Sequence, residues 1–138
     1  MCKLVIRNVS MMVAVLLVAV LTGCSDKAKN APFIGEWEAV SDSQGAEIKP
    51  TDYAKYERFY IGKKEEGDHT TYSETGAINR AAYTWSWKKG NPGHIEMLYI
   101  SGAYGYYYFE MQDENGQYMK LCTKKDMQDY KIFHKVSD

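Results

Sequence analysis

Residues 81–111 read AAYTWSWKKGNPGHIEMLYISGAYGYYYFEM. In the first third, Tyr83, Trp85 and Trp87 alternate with Thr84, Ser86 and Lys88. That is the period of two that a strand imposes, because successive side chains leave opposite faces. Lys89-Gly90-Asn91-Pro92-Gly93 and Ser101-Gly102 then supply the glycine, proline and asparagine that turns require. Connections this short cannot make a crossover, so the three strands at 81–88, 94–100 and 104–111 must run antiparallel. Outward from this stretch the same pattern recurs. Phe33, Gly35, Trp37 and Ala39 fall on one side of a strand with Glu36 and Glu38 on the other, and further runs lie at 56–62, 69–75, 117–124 and 129–136. Asn115-Gly116 provides the positive φ of a tight hairpin. The stretch from Ser41 to Tyr53 is the one longer connection, with room for a brief helical turn near 51–56.

Eight short antiparallel strands have two usual solutions, a closed up-and-down barrel and a two-sheet sandwich, with a partly open barrel between them. Closure is preferred because it leaves no edge strand to template aggregation. The expected class is therefore all-β, an eight-stranded antiparallel barrel.

The composition agrees. With 138 residues, 45% of them hydrophobic and 14% aromatic, the chain holds one ordinary domain and excludes large multi-domain enzymes. Lys plus Arg (17) nearly balances Asp plus Glu (18), so there is no basic footprint for nucleic acid. His69, His94 and His134 are scattered without metal-ligand spacing, and the three cysteines are too few for a disulfide scaffold. No metal or cofactor is expected.

The N-terminus has its own logic. Lys3 and Arg7 precede an unbroken apolar run from Met11 to Leu21, the pattern of a secretory signal and too short to span a bilayer. The run ends in Leu21-Thr22-Gly23-Cys24, which resembles the lipobox of bacterial lipoproteins. That resemblance implies a signal peptide over 1–23, lipidation of Cys24, and a polar tether to residue 32 ahead of a domain at 33–138. It also implies a bacterial cell-envelope location with the membrane as a partner through the lipid. Ser25, not Asp, follows the cysteine, which favours the outer membrane.

Within the domain, Phe33-Ile34-Gly35-Glu36-Trp37 resembles the Gly-x-Trp opening strand of lipocalin-like proteins. The later order of a Phe-centred strand (Phe59), a Gly67 turn, a Tyr83-x-Trp85 strand and a terminal Tyr-x-Ile-x-His-Lys-Val strand is also similar. The resemblance implies that Gly35 and Trp37 form a barrel base. It further implies an interior able to hold one small hydrophobic or amphipathic ligand.

Catalysis finds no support: there is no nucleophile elbow, no phosphate-binding glycine loop leading into a helix, and the acidic pairs sit in turns. The aromatic residues are the informative feature. Tyr83, Trp85, Trp87, Tyr106, Tyr108 and His134 are the candidate ligand-pocket residues, because inward Tyr hydroxyls and Trp N–H groups need polar partners and so suggest a partly wet interior. The strands at 94–100 and 104–111 are apolar on both faces, so one face must be outside. Leu98, Ile100, Tyr107 and Phe109 are the candidate surface for a protein partner, the alternative being an inhibitor or assembly factor acting through that hairpin.

Overall fold

A computed structural model describes residues 31–90 and 92–138. The expected signal peptide, Cys24 and most of the tether lie outside the described residues. Eight strands run in sequence: β1 (Gly35–Asp42), β2 (Arg58–Ile61), β3 (Glu66–Tyr72), β4 (Ile78–Lys88), β5 (Gly93–Tyr99), β6 (Tyr104–Met111), β7 (Tyr118–Cys122) and β8 (Tyr130–Ser137). Each pairs antiparallel with its neighbour, and β8 returns to β1 to close the barrel. The sandwich and the open barrel are thereby set aside, and the architecture is that of an eight-stranded lipocalin-like barrel. No helix occurs among the described residues; near 51–56 there is only a single turn, in which Asp52 O accepts from Lys55 N and Tyr56 N.

The third strand begins earlier than the sequence suggests. Gly67 reads as a turn, yet the turn lies just before it, where Gly62 N donates to Glu66 O and Glu65 takes a φ of 59°. Gly67 is inside β3, opposite Tyr83 of β4. A Cβ there would stand 2.7 Å from the Tyr83 hydroxyl, which crosses the glycine to donate to Tyr60 O at 2.6 Å. The glycine serves close approach, not chain reversal.

One end of the barrel is solid. Phe33 precedes β1 and packs edge-on against Trp85, Trp87 and Phe109, with centroids 5.2, 5.3 and 4.9 Å away. The Trp37 indole donates to Phe33 O at 2.8 Å, which holds the entering chain across the barrel end. Gly35 takes a φ of 136° where a Cβ would meet Ser137 O, so the first strand can lie tight against the last. Phe33, Trp37, Phe59, Ile61, Ile95, Met97, Met119 and Phe133 are all fully buried.

Pairing fixes the faces that periodicity leaves open. Gly93, Ile95 and Met97 of β5 stand opposite Phe109, Tyr107 and Gly105 of β6. Buried Ile95 and Met97 face inward, so Tyr107 and Phe109 do too, whereas Tyr104, Tyr106 and Tyr108 face outward. The expectation that Tyr106 and Tyr108 line the interior is corrected, and so is the placement of Tyr107 and Phe109 on a partner surface. A strand apolar on both faces carries no alternation to read; the connection from Ile100 to Ala103 sets the register. His134 is likewise outside, tilted against Tyr118. The inward residues of β8 are Lys131, Phe133 and Lys135, opposite Leu121 of β7 and Ala39 and Trp37 of β1 respectively. Two lysines flanking one phenylalanine do not look like a core face. Here each sits toward one end of the barrel, where its stem covers apolar surface and its ammonium reaches a polar partner.

Replacing Trp37 with alanine removes the base plug and its hydrogen bond together. Trp37→Ala should lower stability by about 3–5 kcal/mol, read as a shift in the denaturant midpoint at unchanged slope. An unchanged midpoint would mean that the base is not held by this residue.

Candidate functional site

The opposite end of the barrel is not filled. A cavity of about 480 Å³ lies there under the connection from β1 to β2, with Tyr107, Leu121 and Phe133 as its apolar lining and Glu57, Lys131 and Asp129 among its polar residues. The strands explain the difference between the two ends. The base receives Phe33, Trp85, Trp87 and Phe109, while the mouth receives side chains whose ends are polar and must keep partners.

Glu57, just ahead of β2, is the hub of these partners. Its Oε2 is 3.1 Å from His69 Nε2 and its Oε1 is 3.4 Å from Lys131 Nζ. His69 stacks on Phe59 with centroids 4.0 Å apart, and its Nδ1 is 3.1 Å from the Tyr99 hydroxyl. An ionised carboxylate only accepts, so the proton between His69 and Glu57 is on Nε2, and in the neutral tautomer that this selects Nδ1 is free to accept from the Tyr99 hydroxyl. Lys131 also donates to Lys55 O at 2.8 Å, and Lys55 pairs with Asp42 at 3.3 Å. A single polar chain thus runs from the β5 wall through His69 and Glu57 to β8, and from there to the connection that roofs the cavity.

The electrostatics follow from burial and from these partners. Burial alone would push the Glu57 carboxyl up; the His69 hydrogen bond and the Lys131 and His69 charges outweigh it and hold the group below the ordinary glutamate range. Burial, with Tyr99 close by, pushes the Tyr107 phenol well up, so it stays a neutral hydroxyl at the cavity wall. Tyr99 is also raised, first by burial. Outside the cavity, on the roof connection, burial and the bond to Glu38 push Tyr56 up to about 12. These groups can hold an amphipathic guest by its polar end, with ring and aliphatic surface below. Among the described residues no cluster of His, Cys, Asp and Glu suits a metal.

The residues expected to line a pocket are dispersed. Tyr83, Trp85 and Trp87 do share the inner face of β4, but they belong to the packed part of the barrel. Their polar atoms do not imply a wet interior, because Tyr83 is satisfied by Tyr60 O and Trp85 by Gly62 O at 3.1 Å. Trp87 Nε1 is buried without a partner. Tyr106, Tyr108 and His134 are on the outer wall. Gly35 and Trp37 are at the base as expected, and Leu98 and Ile100 are exposed. The residues that do line or support the cavity, Glu57, His69, Tyr107 and Lys131, include two charged side chains that the sequence alone does not single out. The signal was present for Lys131, which shares its strand face with Phe133, but the stronger Tyr-x-Ile-x-His alternation masked it. Nothing local marks Glu57 or His69, which meet only through the β2–β3 pairing. In comparisons with known proteins no family model matches the chain, and no curated protein or solved structure matches it either.

The Glu57 chain gives a pH signature. Its folded pKa is depressed, so its contribution is fully present above the unfolded value of about 4.3 and is lost as pH falls through the folded value. At pH 7 Glu57→Gln should cost about 1–3 kcal/mol. The gap to wild type should close as pH drops below about 4. Paired denaturation curves across that range test this, and a pH-independent gap would contradict it.

Proposed function

We propose that this protein is a lipid-anchored, lipocalin-like lipoprotein of the bacterial cell envelope, placed in the outer membrane, that binds one small hydrophobic or amphipathic molecule at the barrel mouth. The observation that carries the proposal is the cavity of about 480 Å³ with apolar walls at Leu121 and Phe133 and a polar, hydrogen-bonded side at Glu57 and Lys131. That volume falls within the range of small-molecule sites, and the mixture of apolar wall and a few fixed polar groups is what such sites use. The anchor is supported by the Leu21-Thr22-Gly23-Cys24 motif after its apolar run. Action on a protein partner through the β5–β6 hairpin has less behind it, since Tyr107 and Phe109, two of its four residues, are inside the barrel.

Two experiments test the proposal. A naphthalene-type amphipathic dye should bind wild type with enhanced emission, and Thr123→Trp, an exposed substitution on the cavity rim, should weaken it by about tenfold or more without moving the melting temperature. Equal binding by the variant would remove the cavity from the account. Cys24→Ala should abolish the diacylglyceryl mass and membrane attachment seen in wild type; a lipid mass on the variant would sink the anchor.

A further inference from the structure

The charged residues that line the mouth cavity are unequal in number. Asp42, Glu57 and Asp129 stand against Lys55 and Lys131, three carboxylates to two ammoniums, a net charge of −1. Both cations are already engaged. Lys55 Nζ pairs with Asp42 Oδ2 at 3.3 Å, and Lys131 Nζ pairs with Glu57 Oε1 at 3.4 Å while donating to Lys55 O. The two paired carboxylates are held on their other oxygens as well, Asp42 Oδ1 by the amides of Gln44 and Ala46, and Glu57 Oε2 by His69. Asp129 differs. Its backbone carbonyl accepts from the Cys122 thiol at 3.1 Å, but among the described residues no ion pair or hydrogen bond reaches its carboxylate. The nearby Lys120, set over the Tyr130 ring, and Lys124 and Lys125 of the same connection do not line the cavity.

The hydroxyl at the wall leans the same way. With His69 neutral, its proton goes to Glu57, so Tyr99 gives its own proton to Nδ1 and is left to accept from Tyr107. The Tyr107 oxygen then offers the cavity lone pairs and no proton. An anionic head group entering here would have to share Lys131 with Glu57 or Lys55 with Asp42, and it would add a negative charge to a lining that already carries an excess of one. A cationic head group neutralises that excess and leaves both ion pairs intact. Partly enclosed charges are screened less than those in open solvent, so the difference persists at physiological salt.

We propose that the guest this cavity selects is an amphipathic ammonium ion, a protonated amine seated with its charge toward Asp129 and its apolar part against Leu121 and Phe133. The proposal rests on the reading of the cavity as a ligand site and adds the charge of the ligand to it. Neither lysine is the anchor for the head group; both are spent in holding the mouth together.

The test uses the full chain at pH 7, loaded with the neutral dye N-phenyl-1-naphthylamine, and three competitors that share one decyl chain: decylammonium, decyl sulfate and decanol. Decylammonium should displace the dye about tenfold or more better than decyl sulfate, with decanol between them. Asp129→Asn, a substitution at an exposed position, should cut the preference for ammonium over sulfate by about threefold or more and leave decanol and the melting temperature unchanged. Displacement by all three with no preference, or with a preference for the sulfate, overturns the proposal and leaves the cavity as a ligand site. A preference for ammonium that Asp129→Asn does not alter overturns it too, because the selecting charge would lie elsewhere. Failure of the dye to bind, or dye that none of the three displaces, removes the ligand site itself and this proposal with it.

Discussion

Everything in this fold depends on β8 returning to β1, and that return depends on how the chain enters the barrel. The Trp37 indole holds the carbonyl of Phe33, Phe33 fills the end between Trp85, Trp87 and Phe109, and Gly35 lets the first strand approach Ser137 of the last. An eight-stranded barrel is just wide enough to enclose its own side chains. Large rings placed at one end therefore leave no room there. Any cavity must form where the inward residues are few, long and polar.

That constraint divides the molecule into a packed half and a polar half. In the packed half the Trp37 and Trp85 indoles and the Tyr83 phenol find backbone carbonyls, so these aromatic groups serve stability, not ligand binding. In the polar half Glu57 links His69 and Lys131 across the interior and, through Lys55, ties down the roof of the cavity. A carboxylate held by two cationic or donor partners is well placed to stay ionised while buried, and removing one partner would strand the others. The same arrangement keeps polar atoms beside an apolar wall, which is the combination an amphipathic guest needs.

The sequence carries the strand count and the antiparallel order, because alternation and turn residues are local signals: the Asn115-Gly116 turn and the Tyr83–Trp87 face are where the pattern places them, whereas the base at Gly35 and Trp37 is implied only by the Gly-x-Trp resemblance. It does not carry the register of β6, where Tyr104 to Phe109 offers apolar side chains to both faces. It misdirects on β8, where the more apolar face is outside and Lys131, Phe133 and Lys135 are inside. It misdirects again at Gly67, whose role is space for Tyr83. The cavity was illegible for a different reason. Glu57, His69 and Lys131 are far apart in the chain and acquire meaning only when pairing brings them together.

The most direct test of this division is a methyl and indole NMR titration with an amphipathic dye. The account predicts that the Leu121 methyl signals at the mouth move, while those of Ile61 and Ile95 and the indole N–H signals of Trp37 and Trp85, tied to backbone carbonyls, stay fixed. Movement of Ile95 and Trp85 with Leu121 unchanged would place the guest in the half described as packed. That result would contradict the account.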